Sequence, residues 1–138
     1  MLRCGGRQAQ VAFPPRRADP VEVLAQGHGK LAGRAQQVRK QPRQLLEMIP
    51  GLELVPLNET EICCGAAGSY NMTQPEMADR LGARKVQNIL DTGARAVFTG
   101  NVGCLLQIGR HLRREHPEIM VAHTIDALWA SYSGETFR

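Results

Sequence analysis

The chain has 138 residues, 43% hydrophobic and 22% charged, which is the size and balance of one globular domain. Aromatic residues make up only 4%, which excludes nucleic-acid modules that stack bases on aromatic platforms, and no stretch approaches the roughly 18 apolar residues of a membrane span. The formal net charge of +4 raises nucleic acid or an anionic surface as a partner. Its distribution argues against both. Residues 1–34 hold six basic residues against two acidic ones, while residues 35–138 balance eleven against eleven. The basic residues of the first segment are scattered among Pro, Gly and Ala with no helical or alternating stripe, and no signal-peptide pattern is present. Residues 1–34 therefore read as an irregular, disordered or aberrant leader, and residues 35–138 as the folded domain.

Within the leader, Phe13-Pro14-Pro15 and Asp19-Pro20 disfavour helix, and the run Val21 to Ala25 reads as a strand or a helical turn. Beyond it the pattern is regular. Gln41-Pro42-Arg43 opens an apolar-periodic run, Leu45, Leu46, Met48 and Ile49, which stops at Pro50-Gly51 as a helix does. Leu52 to Leu57 alternates as a short strand. A loop with Cys63-Cys64-Gly65-Ala66-Ala67-Gly68 follows. Thr73-Gln74-Pro75-Glu76 predicts a helix start with Thr73 as cap and Glu76 closing a capping box, and the helix runs to about Asp91 with Gly93 as its stop. Ala94 to Thr99 reads as a strand. Gly100 to Cys104 forms a turn into a helix from Leu105 to about Glu115. Ile119 to Ala122 is another strand, and Thr124 caps a last helix from Ile125 to Tyr132. Strands alternating with helices predict an α/β fold, a Rossmann-like parallel sheet of three to four strands.

In an open parallel sheet, ligands collect outside the carboxyl ends of the strands. Cys63-Cys64 leaves one strand and Cys104 leaves the next at a helix start, so both thiol sites belong on one rim although 40 residues separate Cys64 from Cys104. A helix N-terminus favours thiolate, and thiolates bind soft metals and iron–sulfur clusters. Vicinal cysteines do not readily pair with each other, because their Cβ vectors diverge. Gly65 and Gly68 let the backbone approach a bulky inorganic guest and offer amide donors to sulfur. The plainer readings are buried structural thiols or a redox pair, and residue types alone leave these open. His123 ends a strand on the same rim and is a candidate ligand or donor. His111 and His116 fall among Arg110, Arg113 and Arg114 and read as solvated. Cys4 reads as incidental. No phosphate-cradling glycine loop and no Ser-His-Asp arrangement is legible.

The segment from Cys63-Cys64-Gly65 through Gly68-Ser69-Tyr70-Asn71-Met72 to Thr73-Gln74-Pro75-Glu76 resembles the second cysteine-rich (CCG) motif of the iron–sulfur subunit of glycolate oxidase. That family includes lactate-utilisation and heterodisulfide-reductase-like subunits. Thr99-Gly100-Asn101-Val102-Gly103-Cys104 resembles its distal segment, and Gln36-Gln37-Val38-Arg39 with the helix after Pro42 resembles the segment before the motif, so the likeness covers roughly residues 35–132. The resemblance implies that Cys63, Cys64 and Cys104 are thiolate ligands of an iron–sulfur cluster of the 4Fe-4S type, with Gly65 and Gly68 shaping the loop and Asn101 donating a hydrogen bond near the site. It implies electron transfer from flavin-containing glycolate oxidase subunits that oxidise a 2-hydroxy acid, no catalysis by this chain alone, no nucleic acid, no transmembrane segment, and a cytoplasmic place with peripheral contact to the inner membrane face through the complex. The alternatives are a zinc-stabilised interaction module using the three thiolates plus His123, and a non-functional remnant.

Two departures stand out. The family's first cysteine, expected around Lys30, and a histidine expected near Arg34 are absent, and the distal Cys-x-x-Cys reads Asn101-x-x-Cys104. The family's ferredoxin-like cysteine runs and first CCG repeat are also missing. The likeness fades where the Arg/Pro/Gly-rich leader begins, as an out-of-frame translation of a GC-rich gene would produce. Translating the upstream DNA in all three frames is expected to reveal a Cys followed closely by a His before Gln36; its absence from every frame contradicts the frameshift.

Overall fold

The computed structural model describes residues 20–24, 40–66 and 69–134; Cys4, His28, Lys30, Arg34 and Gly68 lie outside these residues. Four strands, β1 (Pro20–Leu24), β2 (Glu53–Val55), β3 (Ala96–Thr99) and β4 (Met120–His123), pair in the order β2-β1-β3-β4. Every pairing is parallel, with Pro20 beside Glu53, Glu22 beside Val97, and Thr99 beside His123. The expected α/β parallel sheet is present. The run at Val21 is a strand, and it takes an interior place, so the charge break near residue 34 is not an edge of the sheet.

The helices are α1 (Gln41–Glu47), α2 (Tyr70–Thr73), α3 (Pro75–Leu90), α4 (Val102–Glu115) and α5 (Thr124–Ser133). Among the described residues, no helix is long and apolar enough to cross a membrane. Helices α3 and α4 pack together, as do α1 and α5. Strand β3 explains the layering, because all four of its residues are buried and their side chains alternate between faces. Val97 joins Val86, Ile89, Ile108 and Leu112 on the α3/α4 side. Ala96 and Phe98 join Leu46, Ile49 and Ala127 on the α1/α5 side. The chain passes from β1 outward to β2, then back across to β3 and on to β4. The order thus reverses between β1 and β3, and the crevice at their carboxyl ends is where such a sheet takes its ligands.

Two caps and one helix start differ from expectation. Thr73 does not cap α3. It belongs to the short helix α2, where its hydroxyl donates back to the Ser69 and Tyr70 carbonyls, and α3 opens at Gln74 without a side-chain cap or a Glu76 capping box. Pro75 does stand in the first turn. Thr124 does not cap α5 either. His123 does so, its Nδ1 accepting from the Ile125 amide while Asp126 accepts from the His123 amide. Helix α4 begins at Val102, so Cys104 already lies inside its first turn.

Because Phe98 is 1% exposed at the centre of the α1/α5 side, Phe98→Ala should cost about 3–5 kcal/mol in urea unfolding. Met48→Ala, on an exposed side chain of the segment after α1, should stay within about 0.5 kcal/mol.

Candidate metal centre

The loop after β2 begins with a tight turn at residues 58–62. The Thr60 hydroxyl donates to the Leu57 carbonyl at 2.9 Å, and the Ile62 amide donates to the Glu59 carbonyl at 3.0 Å. Glu59 takes φ 52°, and it is the one non-glycine residue with positive φ among the described residues. Helix α3 holds it there. Arg84 donates twice to its carboxylate, through Nε at 2.8 Å and through Nη2, and Asn88 donates once at 2.9 Å. Lys85 Nζ donates to the Glu59 carbonyl at 2.8 Å and to the Thr60 carbonyl at 3.5 Å. The Arg84 hydrogen bond, then that of Asn88, keeps the Glu59 carboxyl below its usual range.

The chain then reaches Cys63-Cys64-Gly65. Gly65 sits at φ 87°, and a Cβ there would lie 2.3 Å from the Ala78 carbonyl oxygen of α3. Glycine is therefore required by the approach of the loop to α3, while its amide does donate to a sulfur, Cys63 Sγ, at 3.4 Å. Gln107 of α4 donates to the same Ala78 carbonyl at 3.2 Å, so loop, α3 and α4 meet at one point. Gly103 in the first turn of α4 faces the loop at ordinary contact distance: a Cβ there would lie 3.4 Å from the Ala66 Cβ.

These two contacts bring Cys64 to Cys104. Their Sγ atoms stand 2.8 Å apart and share a hydrogen bond. Both are free cysteines, far beyond the ~2.05 Å of an S–S bond, and both are buried in the α3/α4 core. Cys64 is the more acidic of the two. The hydrogen bond from Cys104 holds its thiol below the ordinary range, helped by backbone amides and opposed by burial. Cys104 is pushed up by that same bond, then by burial. The two shifts run in opposite directions because two bare thiolates this close repel. Cys63 is half-buried beside Cys64.

Of the other residues singled out, Asn101 acts as an acceptor. Its Oδ1 caps α4 by receiving the Cys104 amide at 3.2 Å and so fixes the first turn that carries the thiol. His123 lies beside Thr99 at the strand ends, as expected, but commits Nδ1 to α5. His111 is not solvated. It packs on Gly82 of α3, its Nε2 is buried without a hydrogen bond, and burial lowers its pKa. Among the described residues, no three His, Cys, Asp or Glu side chains converge as a ready metal cage. Two residues were not singled out by motif, Glu59 and Lys85. Lys85 could have been found: it falls three residues after Gly82 and four before Ile89, on the buried face of α3.

The two soft donors fit a thiophilic metal or iron–sulfur cluster by their chemistry, and binding would part them from 2.8 Å toward the ~3.8 Å of two thiolates on one tetrahedral metal. A cation bound there would replace thiol protons and offset the repulsion between the sulfurs. The family model described as "CCG: Cysteine-rich domain" matches residues 31–109. The chain is 33% identical over 91 residues to lactate utilization protein A of Oceanobacillus iheyensis, covering 66% of this chain and 37% of that one. It is 37% identical over 87 residues to the protein of the same name from Shouchella clausii, covering 63% and 36%. It is 31% identical over 91 residues to that of Bacillus subtilis, covering 66% and 38%. The chain thus spans less than two fifths of the length of these relatives. No solved structure matches it.

Gly65→Ala forces a side chain into the left-handed region and onto the Ala78 carbonyl. It should cost at least about 1–3 kcal/mol in urea unfolding and abolish metal uptake by the loop. Unchanged stability and uptake would contradict the close approach.

Proposed function

Since the chain belongs to the family of CCG cysteine-rich domains, we propose that it is the C-terminal part of an iron–sulfur electron-transfer subunit in a 2-hydroxy-acid oxidation complex. The observation that carries this reading is the convergence of Cys64 and Cys104 at the carboxyl ends of a parallel sheet. The ligand set is Cys64, Cys104 and Cys63, with Gly65 shaping the loop, its amide supporting Cys63, and Asn101 holding the turn that presents Cys104. Gly68 is assigned to the same loop by the resemblance of the motif. A cluster of the 4Fe-4S type, when bound, supplies one-electron transfer between a two-electron flavin donor and a quinone-side acceptor.

The chain's own task is to hold the guest. Buried thiols at the end of α4 exclude water, and amide donors offset negative charge on sulfur. Three sulfurs leave one position of a four-thiolate site to another donor, supplied by the complex. Oxidation of the acid belongs to a flavin-bearing partner. The relatives' name makes lactate the first substrate to test, and the likeness to glycolate oxidase makes glycolate the second. The complex works in the cytoplasm, against the inner face of the membrane. The zinc module needs His123 as its fourth donor, and the use of Nδ1 in the α5 cap is why we favour the cluster.

Anaerobic reconstitution of the 138-residue chain with ferrous iron and sulfide tests this. A brown protein with broad visible absorption is expected, with iron and sulfide both lost in Cys64→Ser and in Cys104→Ser. A colourless chain holding one tight zinc, or iron indifferent to both substitutions, contradicts it.

A further inference from the structure

Lys85 is 1% exposed, the largest of the fully buried side chains among the described residues. Lysine is almost never buried this completely without a specific role for its charge and donors. Its ammonium reaches beyond the helix that carries it. It reaches to the Glu59 and Thr60 carbonyls, in the turn that delivers Cys63 and Cys64. That turn contains the positive-φ residue Glu59, a conformation that persists only when its surroundings over-determine it. Arg84 and Asn88 grip the same residue from outside, where solvent weakens ion pairs.

We propose that Lys85 is a positioning residue of the dithiol centre: its buried ammonium pins the Glu59–Thr60 turn to α3, so that Cys64 is set opposite Cys104. This rests on the reading of Cys64 and Cys104 as the ligand pair and extends it to a residue on another element. The buried arm carries the effect, and the exposed Arg84 arm adds little.

Phenylarsine oxide tests the positioning without any metal. It condenses with two neighbouring thiols, forming two As–S bonds and releasing water, with no change in oxidation state. The full metal-free chain should capture one equivalent, and Cys104→Ser should lose that capture. Lys85→Met should weaken capture about 10–100-fold, the usual effect of removing a group that orients metal ligands. Lys85→Arg, which keeps charge and donors, should recover part of it. Arg84→Ala should lose less than about fivefold. Leu46→Ala, across the sheet, should lower thermal stability and leave capture intact, which separates positioning from stability. Should Lys85→Met not fold, Lys85→Gln replaces it, since its shorter arm does not reach the Glu59 carbonyl.

Capture by Lys85→Met equal to wild type, or an Arg84→Ala loss as large as that of Lys85→Met, overturns the inference. A wild type that captures the arsenical in a Lys85-dependent way but takes up no iron defeats the cluster reading and leaves this inference standing. A wild type without capture defeats both.

Discussion

The dithiol centre depends on one close approach, that of the loop after β2 to the helices on its side of the sheet. Gly65 lies against the Ala78 carbonyl, where no larger residue fits without a shift, and Gly103 packs on Ala66 at ordinary contact distance. The first contact fixes the loop on α3 and the second sets it against α4, and Cys64 and Cys104 are left 2.8 Å from each other. The topology provides the setting. With β1 between β2 and β3, a loop leaving β2 must reach past the end of β1 to meet the start of α4, and so it closes over the crevice at the strand reversal.

Electrostatics then distinguishes this pair from two thiols that merely fill a core. Both sulfurs do pack among Leu57, Val86, Ile89 and Ile108, as small apolar residues would. Structural thiols would gain nothing from a spacing at which two thiolates repel. A positively charged guest resolves it, since it takes the place of thiol protons between the sulfurs. The arrangement is that of a binding site whose last component comes from outside the chain.

Much of this was legible in the residues. The alternation of strands and helices gave the parallel sheet, because buried strands such as Ala96–Thr99 read as short apolar runs bounded by turn residues. The shared rim followed from Cys63-Cys64 and Cys104 each leaving a strand. What escaped is instructive. Strand β1 lies in a segment whose scattered charge and prolines suggested a leader, and its place between two partners is a tertiary fact that composition does not carry. Thr73 and Thr124 matched capping rules, yet a short preceding helix absorbed one and His123 supplied the cap in place of the other. His111 reads as solvated from its arginine neighbours, whereas packing turns it onto Gly82. Lys85 interrupts an apolar face, and only the structure shows that the interruption is filled by the carbonyls of a distant turn.

The pairing of Cys64 with Cys104 is the claim on which all else stands, and trapping it covalently tests it most directly. Mild oxidation of the metal-free chain with diamide, followed by alkylation and peptide mass spectrometry, should yield one disulfide joining the peptide of Cys64 to that of Cys104, with Cys63 alkylated. Separate alkylation of Cys63, Cys64 and Cys104, or a bridge that joins Cys104 to Cys63 instead, would contradict the geometry described here.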